Sequence, residues 1–403
     1  LGTGKSRSVQ DVLEILRVYF PKMKIRSEKS NIKYESSQAN IDKLYKNINW
    51  KPVYQIEDGI KEIIEYEKNQ IKAKINSDKE KIKKRTFSIL ITSSSRKVPL
   101  VEAVKTAVKK ISDSITVICA DANNHSVTKY IVNDFWNMEN LNKYSKTEIL
   151  KECKKRNIKI ILPTRDGELK FWSQIAPFLL KNKVNVIISS PEAIEVCQDK
   201  KKFSDFGLKN GFSFIPSFLN PSKLKEEKVV IKERFGSGSK GIIFSNNNDV
   251  QSLSESLINP IFQPQIFGKE ISVDAWFDNN KKIKGLVLRE RVFVDNGESQ
   301  ITKTFRNKFL ETQLTKILSK LNLKGPVVLQ AIIDKRNNLY IIECNPRFGG
   351  ASTASILVGL DVFKWSILEA MGKSLKDHPF NRLRKEVTQI RIPKDVYHYD
   401  YSL

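Results

Sequence analysis

Hydrophobic positions between residues 86 and 190 follow two alternating patterns. Short apolar runs, among them FSILI, ITVICA, IKIIL and VNVII, are typical of buried strands, and segments between them, such as VPLVEAVKTAVKKI, have the spacing of amphipathic helices. Strands that alternate with helices predict a doubly wound parallel sheet. Ligands bind beyond the carboxyl ends of such strands, so we expect residues 93–96, Asp121 and residues 164–168 to form one rim, although each also fits an ordinary polar loop.

A different pattern begins after residue 190. One helical segment, KKKFSDFGLKNG, is followed by β-rich pieces that include KVVIKERF, EISVDAWFD, KIKGLVLRERVFV, GPVVLQAIID and NLYIIECN. Such pieces, joined by short turns, predict antiparallel hairpins in an α+β domain. We therefore predict an α/β domain at residues 86–190, an α+β domain at 191–375 and a C-terminal tail at 376–403.

The first 85 residues form a smaller, helix-rich part. In SVQDVLEILRVYF the apolar residues recur at helical spacing, and Ser8 is placed to cap the N-terminus of that helix. A second amphipathic helix follows the extended segment WKP. Residues 68–85 are rich in Lys, Glu and Asn, which indicates a linker or an exposed helical connector. We predict an α-rich piece at 1–67 and a charged linker at 68–85.

The composition is that of a globular protein with a real core, since 40% of the 403 residues are hydrophobic and 29% are charged. The longest apolar runs are too short to cross a bilayer, and no signal peptide is recognisable, so we expect no membrane partner. Four cysteines without metal-binding spacing indicate a reduced, cytoplasmic location. Leu1 stands where a methionine would begin a chain, which suggests a fragment or a processed protein.

The net charge of +25 has two interpretations. The first is nucleic-acid binding, and the second is a lysine-rich, solvated surface. No nucleic-acid motif and no basic stripe interleaved with aromatic residues accompanies the charge, which favours the surface interpretation. A basic field would also attract an anionic nucleotide.

The stretch VVIKERFGSGSKGIIF, residues 229–244, is either a loop that grips phosphate or a flexible hairpin turn. Glycines without a Cβ let successive backbone N–H groups approach one anion. Lys232, on the preceding strand, is placed to add positive charge to the same phosphate. The small residues of the loop are Gly236, Ser237, Gly238, Ser239 and Gly241.

A second cluster is predicted where two late strands meet. Glu343 and Asn345 differ by two positions and so share one face of a strand, and an adjacent antiparallel strand brings Gln330 to that face. Three oxygen donors suit Mg²⁺, which keeps other positions for water and phosphate oxygens. The alternative is a solvated strand end, but the preceding apolar YIIE favours a buried acid with a partner. Arg347 is placed to neutralise charge on a transferred group.

These motifs together resemble the ATP-grasp superfamily, in the branch similar to the large subunit of carbamoyl-phosphate synthase, over about residues 86–373. The resemblance rests on LITSSSRKVPLVEAVK, ILPTRDGEL, CQDKKKFSDFGLKNGFSFIP, VIKERFGSGSKGI, FGKEISVDAWFD and LQ…IIECNPRFGG in this order. It implies an ATP-grasp fold with a leading Rossmann-like domain. It also implies an ATP-dependent carboxylate–amine ligase that forms an amide, ADP and phosphate through an acylphosphate.

The resemblance also implies roles for individual residues. Lys200 and Lys232 would hold ATP phosphates beneath a flexible loop at residues 236–241. Two Mg²⁺ ions, with Mn²⁺ as an alternative, would bind Gln330, Glu343 and Asn345, and Arg347 would stabilise the transition state.

The nucleotide's adenosine end is implied to contact the strand pair around residue 265. Glu270 would bind the ribose hydroxyls, and the backbone of Gln265 and Ile266 would read adenine. Here the chain departs from the family, because Pro264 stands where an acid is frequent. Pro264 therefore supplies no acidic side chain at that position.

The acceptor site is expected in RERVFVDNGESQITKT. Arg289, Arg291 and Ser299 are candidates for gripping a carboxylate or an amino acid, and a solvated strand edge is the alternative. The sequence identifies neither the carboxylate nor the amine. It leaves the oligomeric state open, and a homo-oligomer is compatible with it.

Residues 1–67 carry a separate resemblance. LGTGKSRSVQDVLEIL and INWKPVYQIEDGIKEIIEYEKN resemble the C-terminal, substrate-side part of NAD-dependent sugar-nucleotide epimerases/dehydratases. The dinucleotide fingerprint of that family is absent from this sequence. The linkage suggests a fusion and a role in sugar or surface-polysaccharide modification.

Two other functions compete with the ligase. A degenerate ATP-grasp fold would act as a nucleotide-binding or scaffold module, and the intact Gln330, Glu343, Asn345 and Arg347 argue against it. A basic nucleic-acid binder would need a continuous positive stripe outside the ATP cleft. ADP release that depends on Mg²⁺ and an added amino acid would separate the ligase from both.

Overall fold

The computed structural model describes residues 6–28, 41–49, 53, 55–83, 87–236, 238, 241–295, 297–393, 395 and 397. The chain divides into two units, Leu1–Lys84 and Arg85–Leu403. Within the described ranges, no helix combines the length and apolarity needed to cross a bilayer. All four cysteines are buried and none is in a disulfide.

The first unit is helical. Its helices are α1 (Val9–Tyr19), α2 (Asp42–Ile48) and α3 (Ile56–Lys83). Ser8 caps α1 in a reciprocal capping box with Asp11, which confirms the predicted start of that helix. Helix α3 is 28 residues long and runs through most of the segment 68–85. That segment is therefore a helical connector, the second of the two interpretations of its composition.

The second unit begins with a five-stranded parallel sheet in the order β3-β2-β1-β4-β5. Its strands are β1 (Phe87–Ile91), β2 (Ile115–Asp121), β3 (Phe135–Asn137), β4 (Ile158–Leu162) and β5 (Asn185–Val186). The helices that connect them are α4 (Val98–Lys109), α5 (Lys146–Lys155) and α6 (Leu169–Lys181). The inner strands are apolar because both of their faces are covered, as the unbroken apolar runs predicted.

Two helices and a small sheet follow. The helices are α7 (Pro191–Gln198) and α8 (Lys200–Lys209). The sheet is antiparallel in the order β7-β6-β8, with β6 (Lys228–Glu233), β7 (Ile242–Asn246) and β8 (Pro260–Pro264), and α9 (Val250–Ser254) precedes β8. It has its own small core, formed mainly by Leu224, Val229, Ile231, Val250 and Phe262.

The third sheet is the largest, with six antiparallel strands in the order β13-β12-β9-β10-β11-β14. They are β9 (Gly268–Phe277), β10 (Ile283–Asp295), β11 (Glu298–Phe305), β12 (Gly325–Asp334), β13 (Leu339–Asn345) and β14 (Thr388–Ile390). The remaining helices are α10 (Lys308–Lys320), α11 (Thr353–Leu357) and α12 (Val362–Ala370). Strand β14 comes from residues 376–403, which the sequence pattern indicated only as a tail.

Strand β9 shows why this sheet has two different faces. In EISVDAWF, Ile271, Val273 and Ala275 lie in an apolar core under α10, whereas the alternate residues Ser272 and Asp274 face the other way. The apolar end of that second face shares a core with the parallel sheet, in which Trp276 and Ile89 both take part. The polar end of the second face is thereby held against the carboxyl ends of the parallel strands.

Candidate functional site

Two buried lysines lie at the start of α8 and on β6. Lys200 Nζ donates to the Gly236 carbonyl at 2.6 Å, and Lys232 is only 5% exposed. Burial lowers the pKa of both amines, that of Lys232 to about 8, although Glu343 opposes the shift. In the described part of the chain, neither lysine has a carboxylate within ion-pair distance. Two cations are thus held in a low dielectric without a protein anion to match them.

Asp199 fixes the position of Lys200, a role that the sequence did not reveal. It caps α8 by accepting from the N–H groups of Lys201 and Lys202 at 3.0 and 3.1 Å. It also accepts a bidentate pair from Arg234, at 2.8 and 2.6 Å. The start of α8 is therefore tied to the end of β6.

The glycine-rich segment is the connection of the β6–β7 hairpin, in which Lys232 pairs with Ile242. Gly238 and Gly241 have φ values of 70° and 66°, a region that L-residues rarely adopt, so these turns need glycine. Ser237 and Ser239 lie outside the described residues. The connection joins two antiparallel strands, and the Gly236 carbonyl within it accepts a hydrogen bond from Lys200.

Gln330, Glu343 and Asn345 come together on one face, as their spacing predicted. Gln330 is opposite Glu343 in the β12–β13 register. In the orientation that satisfies its amide, Gln330 Nε2 donates to Glu343 Oε1 at 2.8 Å, and Asn345 Nδ2 donates to the same oxygen at 3.0 Å. Both amide nitrogens, rather than their oxygens, face the carboxylate. Glu343 is therefore the central acceptor of this cluster.

The cluster is poor in charged ligands for a cation. Among the described residues, no group of three or more His, Cys, Asp or Glu side chains is placed to hold a metal ion. Magnesium sites built from one or two carboxylates are completed by substrate phosphates. A Mg²⁺ ion at Glu343 and Asn345 would accordingly need oxygens from a bound nucleotide.

Arg291 connects the metal candidates with Glu270. Its Nη1 lies 2.5 Å from the amide oxygen of Gln330, and its Nε lies 3.2 Å from Glu270 Oε1. Arg291 Nη2 also donates to the Gly297 carbonyl at 3.0 Å. Burial raises the pKa of the Glu270 carboxyl, while Arg291 opposes that rise. The guanidinium of Arg291, which we expected to bind a substrate, therefore contacts Gln330 and Glu270 in this structure.

Gln265 and Ser299, an adenine candidate and an acceptor candidate, both have hydrogen-bond partners within the protein. The N–H of Gln265 donates to the Lys228 carbonyl at 2.9 Å. The Ser299 hydroxyl is 2.7 Å from that of Thr302, and Ser299 is buried. Ser299 thus lies on β11 with its side chain buried rather than on a solvated strand edge.

Arg289 is held in an internal ion pair. It donates to both oxygens of Asp274, at 2.7 and 2.9 Å, and is 2% exposed. The hydroxyls of Ser352 and Ser355 also donate to Asp274, the first at 2.9 Å. Before any ligand is considered, this guanidinium therefore already has a bidentate carboxylate partner that the sequence did not reveal.

Arg347 meets the rim of the parallel sheet. Its Nε and Nη2 donate to the two oxygens of Asp166, at 2.8 and 2.7 Å, in the loop after β4. Lys97, just before α4, donates to the Thr164 carbonyl and hydroxyl at 2.7 and 2.8 Å. Burial, and to a lesser extent Arg347, lowers the pKa of Lys97 to about 8. The rim therefore places a carboxylate, that of Asp166, and an amine, that of Lys97, in the surroundings of Arg347.

The predicted rim itself is confirmed. Ser93 Oγ donates to Glu168 at 3.0 Å, and the N–H of Ser95 donates to Asp121 at 3.0 Å. Glu168 is 1% exposed and also accepts from the N–H of Thr164 at 2.7 Å. What the sequence did not show is that Asp166 would be the partner of Arg347, although its position after a parallel strand was the available signal.

Comparisons with known proteins agree with this architecture. Residues 197–351 match the family model of the ATP-grasp domain, and residues 89–204 match that of the PylC-like, N-terminal domain. The chain is 28% identical over 235 residues to the carbamoyl phosphate synthase large chain of Thermoanaerobacter pseudethanolicus, which covers 49% of this chain and 21% of that protein. It is 25% identical over 238 residues to the C-terminal section of the Aquifex aeolicus large chain, covering 51% and 44%. The chain thus spans less than half the length of these curated relatives.

Solved structures show the same fold. Biotin carboxylase from Campylobacter jejuni, in complex with β,γ-ATP, superposes with a TM-score of 0.60 at 17% identity and covers 74% of each chain. N5-carboxyaminoimidazole synthetase from Staphylococcus aureus, complexed with ADP, gives a TM-score of 0.56 at 21% identity, covering 72% of this chain and 78% of that one.

The predicted fold class is confirmed by these structures, which share the parallel sheet and the antiparallel sheets. Neither family model reaches residues 1–67, where the epimerase/dehydratase resemblance stays a prediction. Residues 197–351 are therefore similar to ATP-grasp domains and residues 89–204 to the PylC-like, N-terminal domain, and about half of the chain is similar in sequence to carbamoyl phosphate synthase large chains.

Proposed function

We propose that this chain is an ATP- and Mg²⁺-dependent carboxylate–amine ligase that forms an amide through an acylphosphate. The observation that carries the proposal is a pair of buried lysines without a protein anion, Lys200 and Lys232, beside a glycine hairpin loop. An unmatched buried charge is costly, and a polyphosphate is the ligand that would neutralise both cations at once. Structures of similar fold that hold ADP or an ATP analogue support this assignment.

The divalent ion would bind at Glu343 and Asn345, with Gln330 completing the cluster. Bound Mg²⁺ would neutralise charge on the phosphates and orient them for transfer. We propose two such ions, with Mn²⁺ as a substitute, as the resemblance to the ATP-grasp superfamily implies. Glu270, whose pKa is raised by burial, would accept from the ribose hydroxyls of a bound nucleotide.

The reaction would proceed in two displacements. A substrate carboxylate oxygen attacks the γ-phosphorus, and the bond to the β,γ-bridging oxygen breaks, so that its electron pair leaves with ADP. The amine nitrogen then attacks the acyl carbon, phosphate departs with the electron pair of the C–O bond, and the amine proton passes to that phosphate. Arg347, fixed by Asp166, would stabilise the charge that develops on the acyl phosphate.

The finer substrate assignment rests on sequence alone. The resemblance of residues 1–67 to sugar-nucleotide epimerases/dehydratases supports a role in sugar or surface-polysaccharide modification, with an amino-sugar among the amines to be tested. Arg291 is retained as an acceptor-side candidate through its position between Glu270 and Gln330. We propose that the protein acts in the cytoplasm, and a homo-oligomer is compatible with this function.

The test is a screen for ADP formation with Mg²⁺ and ATP over paired carboxylates, amino acids and amino-sugars. We expect ADP only when a carboxylate and an amine are both present. Glu343→Gln should lower turnover by about a hundredfold or more, because the central acceptor loses its charge. Glu139→Gln, at an exposed ion pair with Lys143 in the parallel-sheet domain, removes the same charge away from the site and should leave turnover unchanged.

Two results would contradict the proposal. If Glu343→Gln turns over like the wild type, the metal assignment is wrong. If MgATP binds but no pair of substrates releases ADP, the degenerate scaffold module is the better description. Salt-sensitive retention on nucleic acid without nucleotide binding would instead favour the basic nucleic-acid binder.

A further inference from the structure

Strand β14 adds an unassigned element to the site. It pairs with β11 through Ile301–Ile390, Thr302–Gln389 and Lys303–Thr388. It comes from a segment that neither family model reaches, since the ATP-grasp match ends at residue 351. The residues that it carries are therefore specific to this chain's C-terminal segment rather than part of the matched domain.

Arg391 follows β14 and approaches the segment just after Arg347. Its N–H donates to the Gln300 carbonyl at 3.0 Å, and its Nη1 donates to Glu298 at 2.7 Å. Its Nη2 lies 2.8 Å from where a Cβ on Gly350 would be, so a larger residue at that position would make the guanidinium shift. Arg391 thus lies close to the backbone at Gly350, and Gly350 follows Arg347 by three positions in the sequence.

Gln389 lies on the same side, because it differs from Arg391 by two positions. Its Nε2 donates to the Thr353 hydroxyl at 2.6 Å, at the first residue of α11. Its register partner is Thr302, which in turn is opposite Arg291 across β10 and β11. Gln389 therefore lies at the far end of the polar sheet face that carries the metal and ribose candidates.

Two polar atoms at this place have no partner among the described residues. They are the amide oxygen Oε1 of Gln389 and the Nε of Arg391, both buried. Buried polar groups are nearly always hydrogen-bonded, so an unmatched acceptor and an unmatched donor on residues two positions apart point to a ligand that brings one of each. The unmatched Nε of the guanidinium selects a carboxylate oxygen, and the unmatched amide oxygen selects an N–H donor such as an amine.

We propose that Gln389 and Arg391 form the subsite for the amine substrate, and that this substrate is an amino acid. Its carboxylate would bind Arg391 and its nitrogen would be steered by the Gln389 oxygen, with the acyl phosphate on the Arg347 side. This inference rests on the proposed ligase function, which it deepens by naming the substrate class. It makes the C-terminal segment the determinant of amine specificity.

The experiment measures ADP formation by the full chain with MgATP and a carboxylate that is active in the screen above. Each standard amino acid is supplied as the amine, and hydroxylamine, a small amine that has no carboxylate, is supplied separately. For Arg391→Met we expect the KM for the amino acid to rise by about tenfold to a hundredfold, and the KM for ATP to stay within twofold of the wild type, on the order expected for one lost charged contact. Arg391→Lys should recover part of the loss. The rate with hydroxylamine should fall far less than the rate with the amino acid.

The matched control is Arg382→Met, which removes an arginine that pairs with Glu386 in the same C-terminal segment. It should leave the KM for the amino acid unchanged. If Arg391→Met lowers the amino-acid and hydroxylamine rates equally, β14 is a structural support and the proposal is wrong. The same conclusion follows if Gln389→Leu, a similar volume without the amide, has a wild-type KM.

A binding measurement separates this inference from the proposed function. Each amino acid is added to wild type and Arg391→Met in the presence of MgADP, and the thermal midpoint is recorded. A shift in the wild type that Arg391→Met lacks supports the amine subsite even if no turnover is found. Equal shifts in both proteins, or no shift with any amino acid, would overturn the subsite whether or not the ligase reaction is found.

Discussion

Two sets of buried cationic side chains differ in how their charge is balanced. The first is Arg289 with its partners, and the second is Lys200 with Lys232. Arg289 has a carboxylate partner in bidentate contact, and two serine hydroxyls complete the remaining bonds of that carboxylate. Lys200 and Lys232 are also buried, and Lys200 donates to a backbone carbonyl of the glycine loop, that of Gly236. The first set is neutralised within the protein, whereas the second has no carboxylate at ion-pair distance among the described residues.

The difference separates a cation that is neutralised within the protein from two cations whose burial lowers their pKa. A buried ion pair that is satisfied on all sides is costly to break, because a single removal leaves the other charge unpaired. A buried lysine without an anion already carries that cost in the free protein, and its lowered pKa is the measurable sign. Substitutions in the two sets should therefore change stability in opposite directions.

The largest effect is expected at the first set. Asp274→Asn should destabilise the protein by about 3–5 kcal/mol, since it leaves the Arg289 guanidinium buried without its counter-charge. Urea denaturation followed by fluorescence measures the change in the free energy of unfolding. The double variant Asp274→Asn, Arg289→Met should recover much of that loss. A single variant within 1 kcal/mol of the wild type would contradict the description of this pair as structural.

The opposite sign is expected at the second set. Lys232→Met should raise the free energy of unfolding at neutral pH by up to about 3 kcal/mol, because a pKa moved from 10.5 to about 8 corresponds to that cost. It should also weaken MgATP binding strongly, as measured by calorimetry. Lys159→Met, at an exposed position of β4, is the matched control and should change neither quantity. A destabilised Lys232→Met would mean that a protein group already neutralises this amine.

A smaller effect follows from pH. Below about pH 8 Lys232 is charged in the free protein, and above it the amine loses its proton, which phosphate binding would have to restore. MgATP affinity should therefore fall by up to about tenfold per unit as pH rises above 8. Over the same interval the unfolded chain, with its lysine pKa of 10.5, holds more protons than the folded one. Stability of the free protein should accordingly rise while nucleotide affinity falls.

Calorimetry across this pH range, repeated with Lys232→Met, isolates the contribution of that lysine. Lys97 has the same lowered pKa, so Lys97→Met is the second control and should leave the affinity profile above pH 8 in place. An affinity that does not change between pH 7 and pH 9.5 would contradict a direct contact between Lys232 and phosphate.

The smallest effect is expected at Asp199, which lies between the two cases. Its pair with Arg234 is bidentate, but the arginine side chain is 26% exposed. Asp199→Asn retains a good helix cap for α8 and loses only the ion pair, so we expect a loss of about 1 kcal/mol or less. Thermal unfolding measures it, with Asp205→Asn, at an exposed pair in the same helix, as the control. A loss as large as that at Asp274 would place this pair among the structural ones.

The sequence predicted the larger part of the fold because its strands and helices are long enough to show a period. The parallel sheet and its rim follow from unbroken apolar runs, and the meeting of Gln330 with Glu343 follows from the two-residue spacing on antiparallel strands. Contacts between distant segments were not predicted. Arg347 and Asp166 are 181 positions apart, and no local pattern couples them.

Short secondary-structure elements were not predicted from the sequence, for a related reason. Strand β14 has three residues, which is too few for alternation to be recognised. The partner of Arg289 was also hidden, because Asp274 lies on a neighbouring strand and reads in sequence as one polar residue among apolar ones. In each case the missing information was which strands become neighbours, and tertiary packing decides that.

The separate core beneath β6, β7 and β8 has a mechanical consequence. The parallel sheet and the six-stranded sheet share apolar residues, whereas the three-stranded sheet that carries Lys232 does not belong to that shared core. A hinge motion that admits the nucleotide would therefore move the small sheet as a body and leave Arg347 at rest. Since Arg234 lies at the end of β6 and Asp199 at the start of α8, each opening event would have to stretch or break their ion pair.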